Sequence, residues 1–407
     1  MGRTEIERYF SEQFKSMTKD QATPPHYDVI IIGAGPAGAT CALQLRHSDL
    51  KVLLIDKATF PRSKTCGDAI TGRSIKTLFR CCPELVEQFR TFSYKTEIKH
   101  TRLNINRQKP IDIHWVNEAY CCRRADFDQA LLQGVRQYAP NVQILEGFQI
   151  DDIVQDNTLP GRYMVGNSSQ QRYFNTQFLV GSDGTQSIVS KKLTDTRLEQ
   201  NHHAGAVRAY FSGVKGLHLN RTEVFVLPEF MPGYFWVFPL SEDTANVGFG
   251  MLTRSIAGQK VNLKDSFYAF IQASAELKGR FDESTQVGKL EGFGLALGSR
   301  RVPMSGDHFL LIGDAASLID PASGEGISNA IVSGKVAAET IVAAFKAQDF
   351  SADFVKSYEK QLFKIIGKEL RVSTILLRSF LFAPGLLDAG AYLMVNPFFK
   401  RLAKKLM

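Results

Sequence analysis

No stretch of the sequence is apolar for long enough to cross a bilayer, and cysteine is scarce. A spanning helix needs about 20 predominantly apolar residues, and the most apolar C-terminal run is broken by Asp388. The six cysteines include two adjacent doublets, Cys81/Cys82 and Cys121/Cys122, which suit neither zinc chelation nor a disulfide framework. That usage fits a reducing, cytoplasmic setting. The N-terminal segment MGRTEIERYFSEQFKSMTKD alternates charge with apolar residues and lacks the continuous apolar core of a secretory signal. Isoleucine at position 6 leaves myristoylation unsupported. Basic and aromatic modules of nucleic-acid binding are also missing, so no nucleic-acid partner is expected.

With 407 residues and 44% hydrophobic content the chain can bury a large core, which excludes global disorder. The formal charge of +8 is unevenly placed: from residue 351 onward ten Lys/Arg face four Asp/Glu, so this region supplies +6. Its end, SFLFAPGLLDAGAYLMVNPFFKRLAKKLM, mixes apolar stretches with a basic cluster. Two readings follow: a peripheral foot on the inner face of an anionic membrane, or a helical hairpin packed on the body with a solvated basic end.

The segment YDVIIIGAGPAGATCALQLRHSDLKVLLID reads as strand, glycine turn, helix and strand, a βαβ unit. Gly33, Gly35 and Gly38 form G-x-G-x-x-G between strand and helix, with Ala37 in the same turn, and Asp56 closes the second strand beside Lys57. Glycines there allow a tight turn and close approach of backbone to a pyrophosphate, the helix N-terminus attracts negative charge, and the acid accepts from ribose hydroxyls. Two later strands also end in acid and glycine: FLVGSDGTQSIVSKKL places Asp183 and Gly184 at a turn into a helix, and HFLLIGDAASLIDPASGEGISNAIV places Gly313 and Asp314 before a Pro/Gly loop. That loop cannot be regular helix, so a helix N-terminus is expected near Gly324, Gly326 and Ile327, where positive potential would favour an electron-rich group.

Together these segments resemble the flavoprotein hydroxylase and geranylgeranyl reductase superfamily, over about residues 27 to 345. The resemblance implies FAD as cofactor. It also implies that Arg124, in CRRADFDQALL, reaches the flavin side, that Asp183 lies near flavin and pyrophosphate, and that Asp314 accepts from the ribityl chain. PGYFWVFP at 232–239 looks like the Y-x-W-x-F-P pattern of the geranylgeranyl reductase branch, followed by NVGFG, and PASGEGI looks like that branch's flavin loop. Strand alternation puts Tyr234, Trp236 and Phe238 on one face, and the resemblance makes that face the wall of a long apolar cavity for an isoprenoid substrate. Flavin halogenases carry a related element with tryptophan in the first aromatic place. Tyr234 occupies it here and speaks against halogenation.

FPRSKTCGDAITGRSIKTL at 60–78 resembles the branch's basic turn and Cys-Gly. Cys66 is the candidate proton donor, or orders the flavin ring, and Asp68 is a second polar candidate. Two departures stand: Asp56 replaces a common glutamate, and no cysteine pair flanks Asp314. GFGLALG at 292–298 has the wrong spacing for a second nucleotide fingerprint, so electrons are expected from transiently bound NAD(P)H or a ferredoxin- or flavodoxin-like protein. No metal site is expected.

The expected architecture is α/β: a doubly wound, Rossmann-type FAD lobe from 26–95, 120–195 and 295–345, and a β-rich substrate lobe from 96–119 and 196–294. An N-terminal extension covers 1–25 and a C-terminal helical region 346–407. The expected activity is reduction of isoprenoid C=C bonds. An FAD-dependent monooxygenase of an aromatic or lipid substrate, and a non-enzymatic prenyl carrier on the same fold, are the alternatives.

Overall fold

The computed structural model describes residues 24–106, 110–156, 162–275 and 277–382. The expected N-terminal extension therefore lies almost wholly outside the described residues, as does the basic cluster at 400–405.

Strands β1 (His26–Ile32) and β2 (Val52–Ile55) are short apolar runs, buried on both sides as parallel strands under helices are. They lie in parallel register with Val29 opposite Val52 and Ile32 opposite Ile55. Adding β8 (Val142–Leu145), β11 (Arg172–Gly181) and β18 (Phe309–Leu311) gives a parallel order β8–β2–β1–β11–β18. An antiparallel pair, β9 (Asp152–Asp156) and β10 (Arg162–Asn167), extends the sheet from β11. Helix α1 (Pro36–Leu45) makes the β1-to-β2 crossover, and α2 (Arg124–Tyr138) packs beside it. The carboxyl ends of β1 and β11 therefore meet at the head of α1, the place where doubly wound sheets bind nucleotides.

The second lobe is a seven-stranded sheet. It holds β5 (His100–Ile105), β6 (Ile111–His114), β12 (His203–Ser212), β13 (Arg221–Val226), β14 (Gly233–Pro239), β15 (Ala245–Leu252) and β16 (Thr285–Ala296), in the order β16–β12–β15–β14–β13–β5–β6. One face buries Phe235, Val237, Val247 and Phe249 against Phe267 and Ile271 of helix α3 (Leu263–Ala273). The opposite face turns toward the first lobe. A three-stranded sheet of β3 (Ala69–Ile70), β4 (Lys95–Glu97) and β7 (Tyr120–Cys122) stands where the chain passes between lobes. The expected boundary at 95/96 thus cuts through a strand, because β4 is held by β7 from the far side of the excursion.

Helix α4 (Ile327–Ala347) lies against α1 in the first core. Helix α5 (Ser357–Phe382) buries Tyr358, Leu362, Ile366 and Leu370 in that same core, and the Tyr358 hydroxyl donates to the Leu311 carbonyl at 3.0 Å. The first half of the expected C-terminal region is therefore packed on the cofactor lobe. Further along α5, Leu377 joins Leu252, Leu297 and Ile319 in a small separate cluster. Among the described residues, no helix is long and apolar enough to cross a membrane.

Candidate active site

One cavity of about 860 Å³ runs between the lobes. Its first wall is the glycine turn. Gly33 has φ +104°, and a Cβ there would stand 2.3 Å from the Ser182 carbonyl oxygen, so only glycine fits. A Cβ on Gly38 would meet the Gly33 carbonyl at 1.9 Å, which lets the first turn of α1 close over the loop. Gly35 caps α1 without a side chain, Pro36 opens the helix, and both line the cavity with Ala37, so the helix start is presented to a ligand. Asp56 accepts from the Ala34 and Ala58 amides at 2.8 and 2.9 Å, which fixes its carboxylate at the cavity edge beside Lys57.

The second wall follows β11. Asp183 accepts the Ile188 amide at 2.6 Å through one oxygen, while its other oxygen is buried without a protein partner. Burial pushes its carboxyl pKa up. The Ser182 and Thr185 hydroxyls are buried and unpartnered too, and all three residues line the cavity. Buried polar atoms are costly unless bonded. Three together beside a glycine loop and an open helix N-terminus form a cradle for a hydroxyl-rich dinucleotide, and FAD fits it.

The third wall is the turn after β18. Gly313 has φ +60° and donates its amide to the Ser333 hydroxyl at 3.0 Å, and Asp314 lines the cavity. Gly324, Gly326 and Ile327 line it as well, at the head of α4. Glu325 accepts the Ser328 amide at 2.7 Å and so caps one of the free helix amides.

The substrate-lobe sheet closes the cavity with side chains in register. From the outer end, successive rows are Leu295–Ala204–Leu252, Phe293–Ala206–Gly250–Tyr234, Glu291–Arg208–Gly248–Trp236, and Tyr210–Asn246–Phe238. Tyr234, Trp236 and Phe238 all line the cavity, as alternation along β14 requires. Trp236 lies across Gly248, where a Cβ would stand 2.0 Å from the indole, and its Nε1 donates to Asn246 at 2.9 Å. The rows grade from apolar, beside Ile319 and Leu377, to charged. Arg208, 3% exposed at its side chain, pairs with Glu291 at 3.0 Å.

The segment 60–68 crosses the charged end. The Arg62 guanidinium pairs with Asp128 at 3.1 Å, and its other terminal nitrogen is buried without a partner. Arg124 holds the same Asp128 through two bonds of 2.8 and 2.7 Å. The Lys64 ammonium lies 2.9 Å from the Phe293 ring centroid, and burial lowers its pKa to about 8. Cys66 lines the cavity, and burial raises its thiol pKa. Asp68 does not line it. Its carboxylate is fully buried and accepts from Tyr210 at 2.8 Å, Asn246 at 2.7 Å and the Arg124 amide at 3.1 Å. The expectation of Asp68 as a second polar group at the substrate is therefore corrected: it holds the Cys66 loop from behind.

The geometry brings Cys66, Arg124, Asp183, Asp314 and the aromatic wall around one cavity. Sequence reasoning missed Arg208, Glu291, Ser182, Thr185 and Leu377. Alternation along β12 puts Arg208 on a face with Ala204 and Ala206, but only the register of β16 supplies Glu291.

This fold and site define an FAD-dependent oxidoreductase. The FAD binding domain family matches residues 26–365, and the chain belongs to that family. Over 342 residues it is 27% identical to the digeranylgeranylglycerophospholipid reductase of Thermoplasma acidophilum, with 82% of each chain covered. It is also 27% identical over 330 residues to the menaquinone reductase of Mycolicibacterium smegmatis, covering 77% of this chain and 75% of the relative. A geranylgeranyl bacteriochlorophyll reductase-like structure from Thermoplasma acidophilum shares the fold with a TM-score of 0.77 at 23% identity, over 90% of this chain and 91% of the other. A flavin-dependent brominase shares it equally, with a TM-score of 0.77 at 24% identity over 94% and 93%.

Proposed function

We propose that this FAD-dependent oxidoreductase reduces carbon–carbon double bonds of an isoprenoid chain. The observation carrying the reading is the polarity gradient of one continuous cavity. Its nucleotide end offers unpartnered polar atoms, and its far end is lined, among the described residues, by apolar side chains that include Ala204, Leu252, Leu295, Leu297, Ile319 and Leu377. A long chain with no polar groups to read suits that end. The names of the reductase relatives support an apolar substrate.

Reduced FAD supplies the hydride when bound. The second carbon of an isolated double bond needs a proton, and the Cys66 thiol is the candidate donor in the wall. Its raised pKa keeps the thiol protonated at neutral pH. Trp236 and Tyr234 present flat apolar faces that hold the chain and exclude water. Arg124 and Arg62, sharing Asp128, keep positive charge beside the cofactor cradle. Electrons come from NAD(P)H or a small redox protein that visits the cofactor, and the protein works at the cytoplasmic surface of a membrane.

The test is product mass after anaerobic incubation of the chemically reduced holoprotein with a geranylgeranylated lipid. A gain of two hydrogens per bond supports the reading. Product that appears only in air and carries an added oxygen replaces it with a monooxygenase.

A further inference from the structure

We infer that the outer face of α5 is a docking surface for an anionic lipid bilayer, placed so that a membrane-resident chain enters the cavity past Leu377. The inference rests on the proposed apolar substrate, and its binding test is independent of that activity.

Helix α5 has three faces. Leu362, Ile366 and Leu370 point into the first core, and Leu377 continues that face into the wall of the cavity. Opposite them, Ile365, Val372, Ile375 and Leu376 are 54, 50, 57 and 44% exposed. At 100° per residue these four fall within one stripe. Scattered exposed apolar residues are ordinary, but Val372, Ile375 and Leu376 adjoin at i, i+3 and i+4, with Ile365 two turns earlier beyond Lys368 and Glu369, and an adjoining exposed apolar patch marks an interaction site. Lys364, Arg371 and Arg378 border it along one side and Lys368 lies within it, and among the described residues none of the four pairs with a carboxylate. The one acid in this part of the helix, Glu369, is held by Arg73.

Charge selects the occupant. Two copies meeting through this face would bring two sets of unpaired cations together, whereas anionic headgroups complement both the cations and the apolar stripe. The helix does not qualify as a membrane span, so it would lie along the interface. The separation between stripe and cavity is one helix thick, because Leu376 is exposed where the next residue, Leu377, lines the cavity. A chain leaving the bilayer at this stripe therefore meets the apolar end of the cavity first, and its double bonds are drawn toward Trp236.

The test compares the full-length holoprotein with V372E/I375E/L376E, whose changes are all at exposed positions. Co-sedimentation uses vesicles of phosphatidylglycerol and phosphatidylcholine, against phosphatidylcholine alone. The wild type should bind the anionic vesicles, and the variant should lose at least about tenfold in affinity, since each added carboxylate opposes both apolar insertion and headgroup attraction. FAD content and turnover of detergent-dispersed substrate should stay unchanged, while turnover of vesicle-embedded substrate falls. Vesicle binding retained by the variant overturns the proposal. So does a wild-type dimer that the substitutions dissociate, or vesicle binding that deletion of 383–407 abolishes while the triple variant keeps it. If vesicles bind but no prenyl substrate is reduced in any form, the docking surface stands and the functional reading falls.

Discussion

Asp68 is the residue whose removal should reveal most about how the site is built. Its carboxylate is fully buried, its backbone sits at φ +65°, and it accepts three hydrogen bonds, from the Tyr210 hydroxyl, the Asn246 amide and the Arg124 backbone amide. Asp68→Ala removes every acceptor at once and leaves three donors without partners. At about 1 kcal/mol or more for each orphaned donor, the loss is at least about 3 kcal/mol. Alanine also tolerates a positive φ less well than aspartate, which adds about 1 kcal/mol. With a melting shift of about 2 °C per kcal/mol in a chain of this size, the holoprotein should melt roughly 8 °C lower. A double-mutant cycle separates the contributions. Tyr210→Phe in the Asp68→Ala background deletes one orphaned donor and should restore about 1 kcal/mol, whereas Tyr210→Phe alone should destabilise. Because Asn246 also donates to the Cys66 carbonyl at 2.7 Å, Asp68→Ala should raise the alkylation rate of Cys66. A melting point within about 1 °C of wild type, or additivity in the cycle, would refute the network account.

Other substitutions probe other walls. Gly33→Ala forces alanine to φ +104° with its Cβ 2.3 Å from a carbonyl oxygen, so purified protein should carry little FAD; full flavin occupancy would contradict the cradle. Gly250→Leu places a side chain between Ala206 and Tyr234 and should leave FAD content intact while turnover of a long prenyl substrate drops by tenfold or more, about 1.4 kcal/mol in barrier. Unchanged turnover would move the substrate elsewhere. Cys66→Ala should slow the single-turnover reduction step by about 10²- to 10⁴-fold if the thiol delivers the proton, and a rate within a factor of about two would reassign that role to water. Lys64 loses its proton near pH 8 when folded but near pH 10.4 when unfolded, as a lysine does in water. The unfolded chain binds the extra proton across that window, so apoprotein stability contributed by this group rises as pH rises from about 8 to 10.4. Denaturant titrations of Lys64→Met should lack that rise, and an identical pH dependence would place the ammonium in water.

The cofactor cradle was legible in the sequence because its chemistry is local. Gly33, Gly35 and Gly38 are fixed by spacing within one turn, and Asp56, Asp183 and Asp314 each follow a strand that places them at the same sheet edge. Tyr234, Trp236 and Phe238 were also readable, since alternation alone puts them on one face. What remained hidden depends on register and on distant pairing. Glu291 meets Arg208 only because β16 pairs with β12 at that offset, and a bulge two residues along makes the offset unreadable from pattern. Asp68 looked like a group for the substrate because nothing in its sequence announces three donors arriving from Tyr210, Asn246 and Arg124. Leu377 belongs to a helix whose first half is core, so its place at the end of the cavity follows from where α5 crosses the sheet rather than from the residue itself.

The most direct measurement of the central claim is an anaerobic single turnover: the photoreduced holoprotein is mixed with a geranylgeranylated lipid and the flavin absorbance is followed alongside the lipid mass. The account expects the flavin to reoxidise without oxygen, one double bond saturated for each flavin. Flavin that stays reduced with every prenyl lipid and reoxidises only when air enters would contradict it.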